Sequence, residues 1–140
     1  MKLDTETVKT IIKSITDVVV QSERGMLGVM VSTSDGFPVC HSAAREFSDP
    51  QRLAAISSSL VALADTSAHT ADIGSSECLV VEGAGGRVVL YALPNIKPRL
   101  LLTVLMTKNS NLGSTIYLAR TTAARIASAL ADSQRQVASA

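Results

Sequence analysis

The sequence predicts an α+β domain in which one antiparallel sheet carries helices on both faces. Three observations predict it. Apolar residues recur with helical spacing in three separated segments, and five other segments read as strands. The strands come as two and then three, joined by short turn signals, so neighbours in sequence pair antiparallel. Several strands are apolar on both faces, and such strands need a layer on each side. The element order is α-β-β-α-β-β-β-α. With 140 residues the chain fits one domain. A chain of this size withdraws roughly 68% of its unfolded surface from water.

The first helix rests on Val8, Ile11, Ile12, Ile15, Val18 and Val19, a one-faced stripe, with Glu6, Lys9, Lys13, Ser14 and Asp17 opposite. Asp4 or Thr5 caps its start, and Gly25 marks its end. "MLGVMVS" (26–32) then reads as a strand buried on both sides. "SDG" (34–36) joins it to "FPVCHS" (37–42), with Asp35 and Gly36 as the residues that tolerate positive φ. Pro38 cannot donate to a ladder, which puts this second strand at a sheet edge.

Asp49-Pro50 reads as an N-cap followed by the first residue of a second helix, closed by Gly74. On that helix Leu53, Ile56, Leu60 and Leu63 form one stripe. A different face carries Ala54, Ser58, Val61, Ala62 and Asp65, small enough for a second helix to approach closely. "ECLVVEG" (77–83) turns at Ala84-Gly85-Gly86 into "RVVLYAL" (87–93), and "PNIKP" leads into "LLLTVLMT" (100–107). The last strand is apolar at nearly every residue, hence central. The final helix spans 112–130 on Ile116, Ala119, Ala123, Ile126, Ala127 and Leu130, with Arg120, Thr121, Arg125 and Ser128 outside. The polar, uncapped stretch 131–140 reads as a flexible tail beyond a domain of residues 1–130.

The chain is 46% hydrophobic and 3% aromatic, with no Trp, so its core is aliphatic. A mean hydropathy of +0.28 is high for a soluble monomer and points to covered sheet faces, an oligomer interface, or both. Net charge is +1, without a basic block, which argues against nucleic-acid binding. No run approaches the roughly 20 apolar residues of a membrane span. The start "MKLDTETVKTIIK" has no signal-peptide core, and two Cys read as free thiols, so the expectation is a soluble cytoplasmic protein.

Each motif with chemical colour has a plainer reading. The Ser34-Asp35-Gly36 loop lacks the alternating oxygen ligands of a calcium loop and fits a tight turn. "GAGGR" (83–87) lacks a following Gly-Lys-Ser/Thr and precedes a strand, not a helix, so it holds no phosphate. Cys40, His41, His69 and Cys78 match no compact metal spacing, and Cys40 and His41 point to opposite sides of a strand. No Gly-x-Ser-x-Gly elbow exposes a serine, and Ser57, Ser58 and Ser59 lie mid-helix. Lys97 and Arg99 flank Pro98 in a loop as solvated charges. No catalytic residue, cofactor site or metal site emerges.

The positive signal is the apolar strand Cys78, Leu79, Val80 and Val81. Sequence order pairs it on one side only, and an apolar edge needs a cover. The same strand of a second copy supplies one across a two-fold axis, with the small-residue face of the second helix meeting its symmetry mate.

"GVMVSTSDGFPVCHS", "LAAISSSLVALAD", "CLVVEGAGGRVVLYAL" and "LLLTVLMTKNSNLGSTIYLARTTAARIASAL" together resemble the Roadblock/dynein light chain family, including its bacterial MglB-type members. The likeness runs from about Thr5 to Leu130. Its most telling parts are Ser34-Asp35-Gly36 with Pro38, and Asn111-Leu112-Gly113 opening the last helix. The resemblance implies a five-stranded antiparallel sheet with one helix on one face and two on the other. It implies a homodimer with a continuous ten-stranded sheet, joined through the third strand and second helix. It also implies a scaffold or regulator of small Ras-like GTPases, without a catalytic residue to map. For a GTPase surface the candidates are Arg52, Ser59 and Thr66 on the second helix, with Arg45 and Glu46 at its rim. The alternative is a structural adaptor of a motility, polarity or secretion complex that has no GTPase partner. A small-molecule sensor or enzyme on the same scaffold would need a pocket with converging polar groups.

Overall fold

The computed structural model describes residues 4–45 and 47–139. The elements are α1 (Thr5–Ser22), β1 (Met26–Thr33), β2 (Pro38–Ala43), α2 (Pro50–Thr70), β3 (Cys78–Glu82), β4 (Gly86–Ala92), β5 (Leu100–Thr107) and α3 (Leu112–Ser139). The order is the expected one. The strands form one antiparallel sheet in the order β2-β1-β5-β4-β3. α1 and α3 cover one face and α2 the other.

The larger core lies between the sheet and the α1/α3 layer. Ile12 and Val19 of α1 and Ala119, Ala123, Ile126 and Leu130 of α3 meet Val29, Val31, Val89, Leu102 and Val104 of the strands. β5 is central because every residue from Leu100 to Val104 is buried. The core under α2 is smaller and gathers around Val61, Leu90 and Leu101.

Local chemistry sets the element ends. Asp4 caps α1 by accepting from the Thr7 N–H at 2.7 Å, and Asp49 caps α2 by accepting from the Arg52 N–H at 3.0 Å. Pro50 sits in the first turn of α2, where its missing N–H costs nothing. Asn111 accepts from the Ser114 N–H at 2.9 Å and opens α3.

The Ser34-Asp35-Gly36 segment is a turn. Gly36 N–H donates to Thr33 O at 3.1 Å, and Thr33 N–H donates to Phe37 O at 2.8 Å. Only Gly36, at φ +100°, takes the left-handed conformation; Asp35 does not. One glycine suffices because a three-residue hairpin loop needs positive φ only at its last position.

Helix α3 also departs from the expected bounds. It continues past Leu130 to Ser139. Ala131, Gln134, Arg135 and Gln136 favour helix, and no Gly or Pro interrupts them.

Candidate interaction surface

The sheet has two edges, and they are finished differently. At β2, the Ala44 N–H donates to Leu27 O. Antiparallel alternation then turns the N–H and C=O of His41 and Ala43 off the edge. Lys13 of α1 reaches the outward His41 carbonyl at 3.0 Å. Pro38, at the start of the strand, has no N–H to offer. A lysine and a proline together blunt this edge.

At β3 the Gly83 N–H donates to Gly86 O at 2.8 Å, so Leu79 and Val81 bond inward to β4. The backbone groups of Cys78, Val80 and Glu82 point outward. Among the described residues nothing bonds to them. The strand contains no proline, and its central residue is Val80. Val81 is 42% exposed, and Val88 opposite it on β4 is half-buried.

Helix α2 lies beside this edge, and the small-residue face named from the sequence is divided between the sheet, the flanks and solvent. Ala54 and Val61 are buried on their own sheet. Ser58 lies on the flank toward the first hairpin: its hydroxyl is 3.2 Å from the point a Cβ on Gly36 would occupy. Asp65 is tied to Arg99 at 2.7 Å and to the Ser76 N–H at 2.8 Å. The Arg99 guanidinium holds its carboxyl below the usual range against the opposing effect of burial, with a smaller contribution from the Ser76 N–H. Ala62 is exposed.

The other stripe faces the β3 side and solvent. Leu60 packs with Leu79 and Val88, whereas Ile56 and Leu63 are 46% and 65% exposed. Ile56 and Leu63, two turns apart on the helix, and the open strand edge beside them form one apolar strip. Periodicity found this stripe but could not tell a partner-facing one from a core-facing one.

Arg52, Ser59 and Thr66 recur every seven residues along the outer surface of α2, all exposed, next to Ile56 and Leu63. The hydroxyls of Ser59 and Thr66 bond back to the carbonyls of Ala55 and Ala62. Arg45 lies beyond the helix N-terminus, at a cavity of about 280 Å³ that Phe47, Leu53, Val88 and Leu105 also line. Glu46 lies outside the described residues.

Cys40, His41, His69 and Cys78 are not brought together, because β2 and β3 are opposite edges and His69 ends α2. Cys40 packs toward the α1/α3 core, and burial pushes its thiol up to about 11. His41 points away and meets the Phe47 ring edge-on at 5.3 Å. No described helix is long and apolar enough to cross a membrane.

Comparison with known proteins agrees with this architecture. No curated protein matches the sequence. Myxococcus xanthus MglB matches in structure with a TM-score of 0.76 at 16% identity, over 91% of this chain and 92% of that one. The gliding protein MglB from Thermus thermophilus gives 0.77 at 13% identity, over 89% and 92%. An MglB with a tetrameric arrangement gives 0.74 at 15% identity, over 94% and 96%. At these identities the likeness is one of fold. The family model of the Roadblock/LC7 domain matches residues 13–106, most of the chain, and the protein therefore belongs to the Roadblock/LC7 family.

Proposed function

We propose that the protein is a cytoplasmic homodimer that binds a small Ras-like GTPase and scaffolds or modulates it, without catalytic residues of its own. The observation that carries the reading is the open β3 edge beside the apolar strip of Ile56, Leu60 and Leu63. Two copies pair β3 with β3 across a two-fold axis, with Val80 at its centre, and extend the sheet to ten strands. In this arrangement Cys78, Leu79, Val80 and Val81 serve the interface as the sequence implies. The helical share falls to Ile56, Leu60 and Leu63 in place of Ala54, Ser58, Val61, Ala62 and Asp65. The self-association of an MglB relative, described as tetrameric, supports a fold that assembles with itself.

The GTPase surface of this reading is the outer line Arg52, Ser59 and Thr66 with Arg45 beyond the helix end. Exposed polar residues on a surface shared by two helices give a partner orientation and specificity rather than bulk affinity.

Light scattering of the wild type and of Val80→Lys tests the assembly. A dimer that Val80→Lys converts to monomer is expected; a wild-type monomer overturns it. Pull-downs with GTP- and GDP-loaded small GTPases from the same organism test the partner. Nucleotide-dependent recovery, reduced by Arg52→Glu, is expected. A dimer that recovers no GTPase in either state leaves the structural adaptor as the function.

A further inference from the structure

The sheet holds its two helical layers by different chemistry. On one face, large aliphatic side chains of α1 and α3 interlock with the strands. On the other, the buried residues of α2 are Ala54, Ser57, Val61 and Ala68, with Leu60 half-buried against Leu79 and Val88. Most of these are small, and one is polar.

The sheet beneath carries two buried hydroxyls among its apolar side chains. Ser32 of β1 and Thr103 of β5 are both fully buried on the α2 side. Ser57 meets Thr103 with the two hydroxyl oxygens 3.5 Å apart, at the outer limit of a hydrogen bond. Among the described residues Ser32 Oγ has no partner. Buried polar atoms in folded proteins are almost always paired, because an unpaired one forfeits its hydration without return. This seam therefore adds little to the docking of α2 and subtracts from it.

Besides the small cluster around Val61, the ties of α2 lie toward its ends. Asp49 caps the start, and Asp65 binds Arg99 and Ser76 near the end. Beyond the helix, Gly74 sits at φ +90° with open space around it, and Ile73 is exposed. A helix pinned at its ends over a poorly paired polar seam is a layer that can leave as a unit.

We propose that α2 opens from the sheet as a separate cooperative layer, while the sheet, α1 and α3 stay folded. Regions with little buried apolar contact open at lower free energy than the global transition. The element that carries the candidate partner surface is then also the one with two states. A partner that binds α2 only when docked holds it shut. The packing behind this opening lies within one protomer and is independent of the dimer and of any GTPase.

Hydrogen exchange read by mass spectrometry tests it. A second copy over α2 would slow exchange there, so the Val80→Lys protein carries the main comparison. Its mass reports on the dimer and its exchange pattern on the layer, so the two readings fail separately. Amides of α2 should exchange at least tenfold faster than those of α3 between residues 115 and 130. Equal rates in the two helices overturn the proposal. In the wild-type background, Ser32→Ala and the double variant Ser57→Ala/Thr103→Val remove the buried hydroxyls. Each should slow α2 exchange severalfold and leave α1 and α3 unchanged. Unchanged or faster α2 exchange in both variants overturns it, whether or not Val80→Lys folds.

Discussion

At single residues the structure explains some choices that sequence makes plain and others that it hides. Gly36 was legible, because Ser-Asp-Gly between apolar runs is a turn signal in itself. Gly28 was not. A Cβ there would lie 2.6 Å from Phe47 Cζ, so the ring sits where a side chain would otherwise stand. That contact joins a strand to a distant loop and leaves no local pattern. Gly28→Ala should lower stability by about 1–3 kcal/mol, as over-packing does, and Phe47→Leu in the same chain should recover part of the loss. Urea denaturation of the two variants and their combination checks this. Asp65 gives a pH prediction. Its carboxyl is held below the ordinary value of about 3.9, chiefly by Arg99, so the ionised form favours the fold. The contribution is complete above the unfolded value and is lost as pH falls through the lower folded value. Asp65→Asn should cost about 1 kcal/mol at pH 7 and flatten the stability curve at the acid end, because the Arg99 pair is only half-shielded from solvent. An unaltered acid slope in the variant would remove Asp65 from the list of contributors.

Among the elements, existence, type and order were legible because the periods are long and the turns carry Gly, Pro and Asp. The orientation of α2 was not. Hydrophobicity alone assigns Ile56 and Leu63 to a core, yet the helix turns Ala54 and Val61 to the sheet. A Cβ added to Gly36 would lie 3.3 Å from Ala55 Cα, so the first hairpin comes close to the helix where its residues are small. The two isoleucines Ile126 and Ile56 should therefore behave in opposite ways. Ile126 is fully buried, and Ile126→Ala should cost about 2–5 kcal/mol of stability by chemical denaturation. Ile56→Ala should change the stability of the isolated protomer by less than about 0.5 kcal/mol and weaken self-association instead. A large loss of protomer stability in Ile56→Ala would show that this face is internal after all. The length of α3 also escaped the sequence reading, because nothing in a polar, alanine-containing tail distinguishes a continuing helix from a coil.

For the whole molecule, the high hydropathy of an aliphatic chain and the one-sided pairing of β3 raise the same question, what covers the edge. If a second copy does, the melting temperature rises with protein concentration, since association stabilises only the folded form. Val80→Lys should abolish that dependence. A melting temperature independent of concentration in the wild type would count against the dimer. The surface proposed for a partner is legible in the sequence only as a helix, not as a face. Arg52, Ser59 and Thr66 carry no pattern apart from exposure, and exposure becomes readable only once the helix is placed on its sheet.

The lysine that reaches across to the His41 carbonyl has a consequence for stoichiometry. A sheet with two receptive edges can polymerise without limit, whereas one with a single receptive edge reacts once and terminates. If β3 pairs with a second copy, Lys13 and Pro38 act as a chain stopper that makes a pair the end of growth. Replacing both, as Lys13→Ala with Pro38→Thr, should turn a finite assembly into an open-ended one, visible as fibrous aggregates that bind thioflavin. A double variant that keeps the wild-type mass would show that something else limits the assembly.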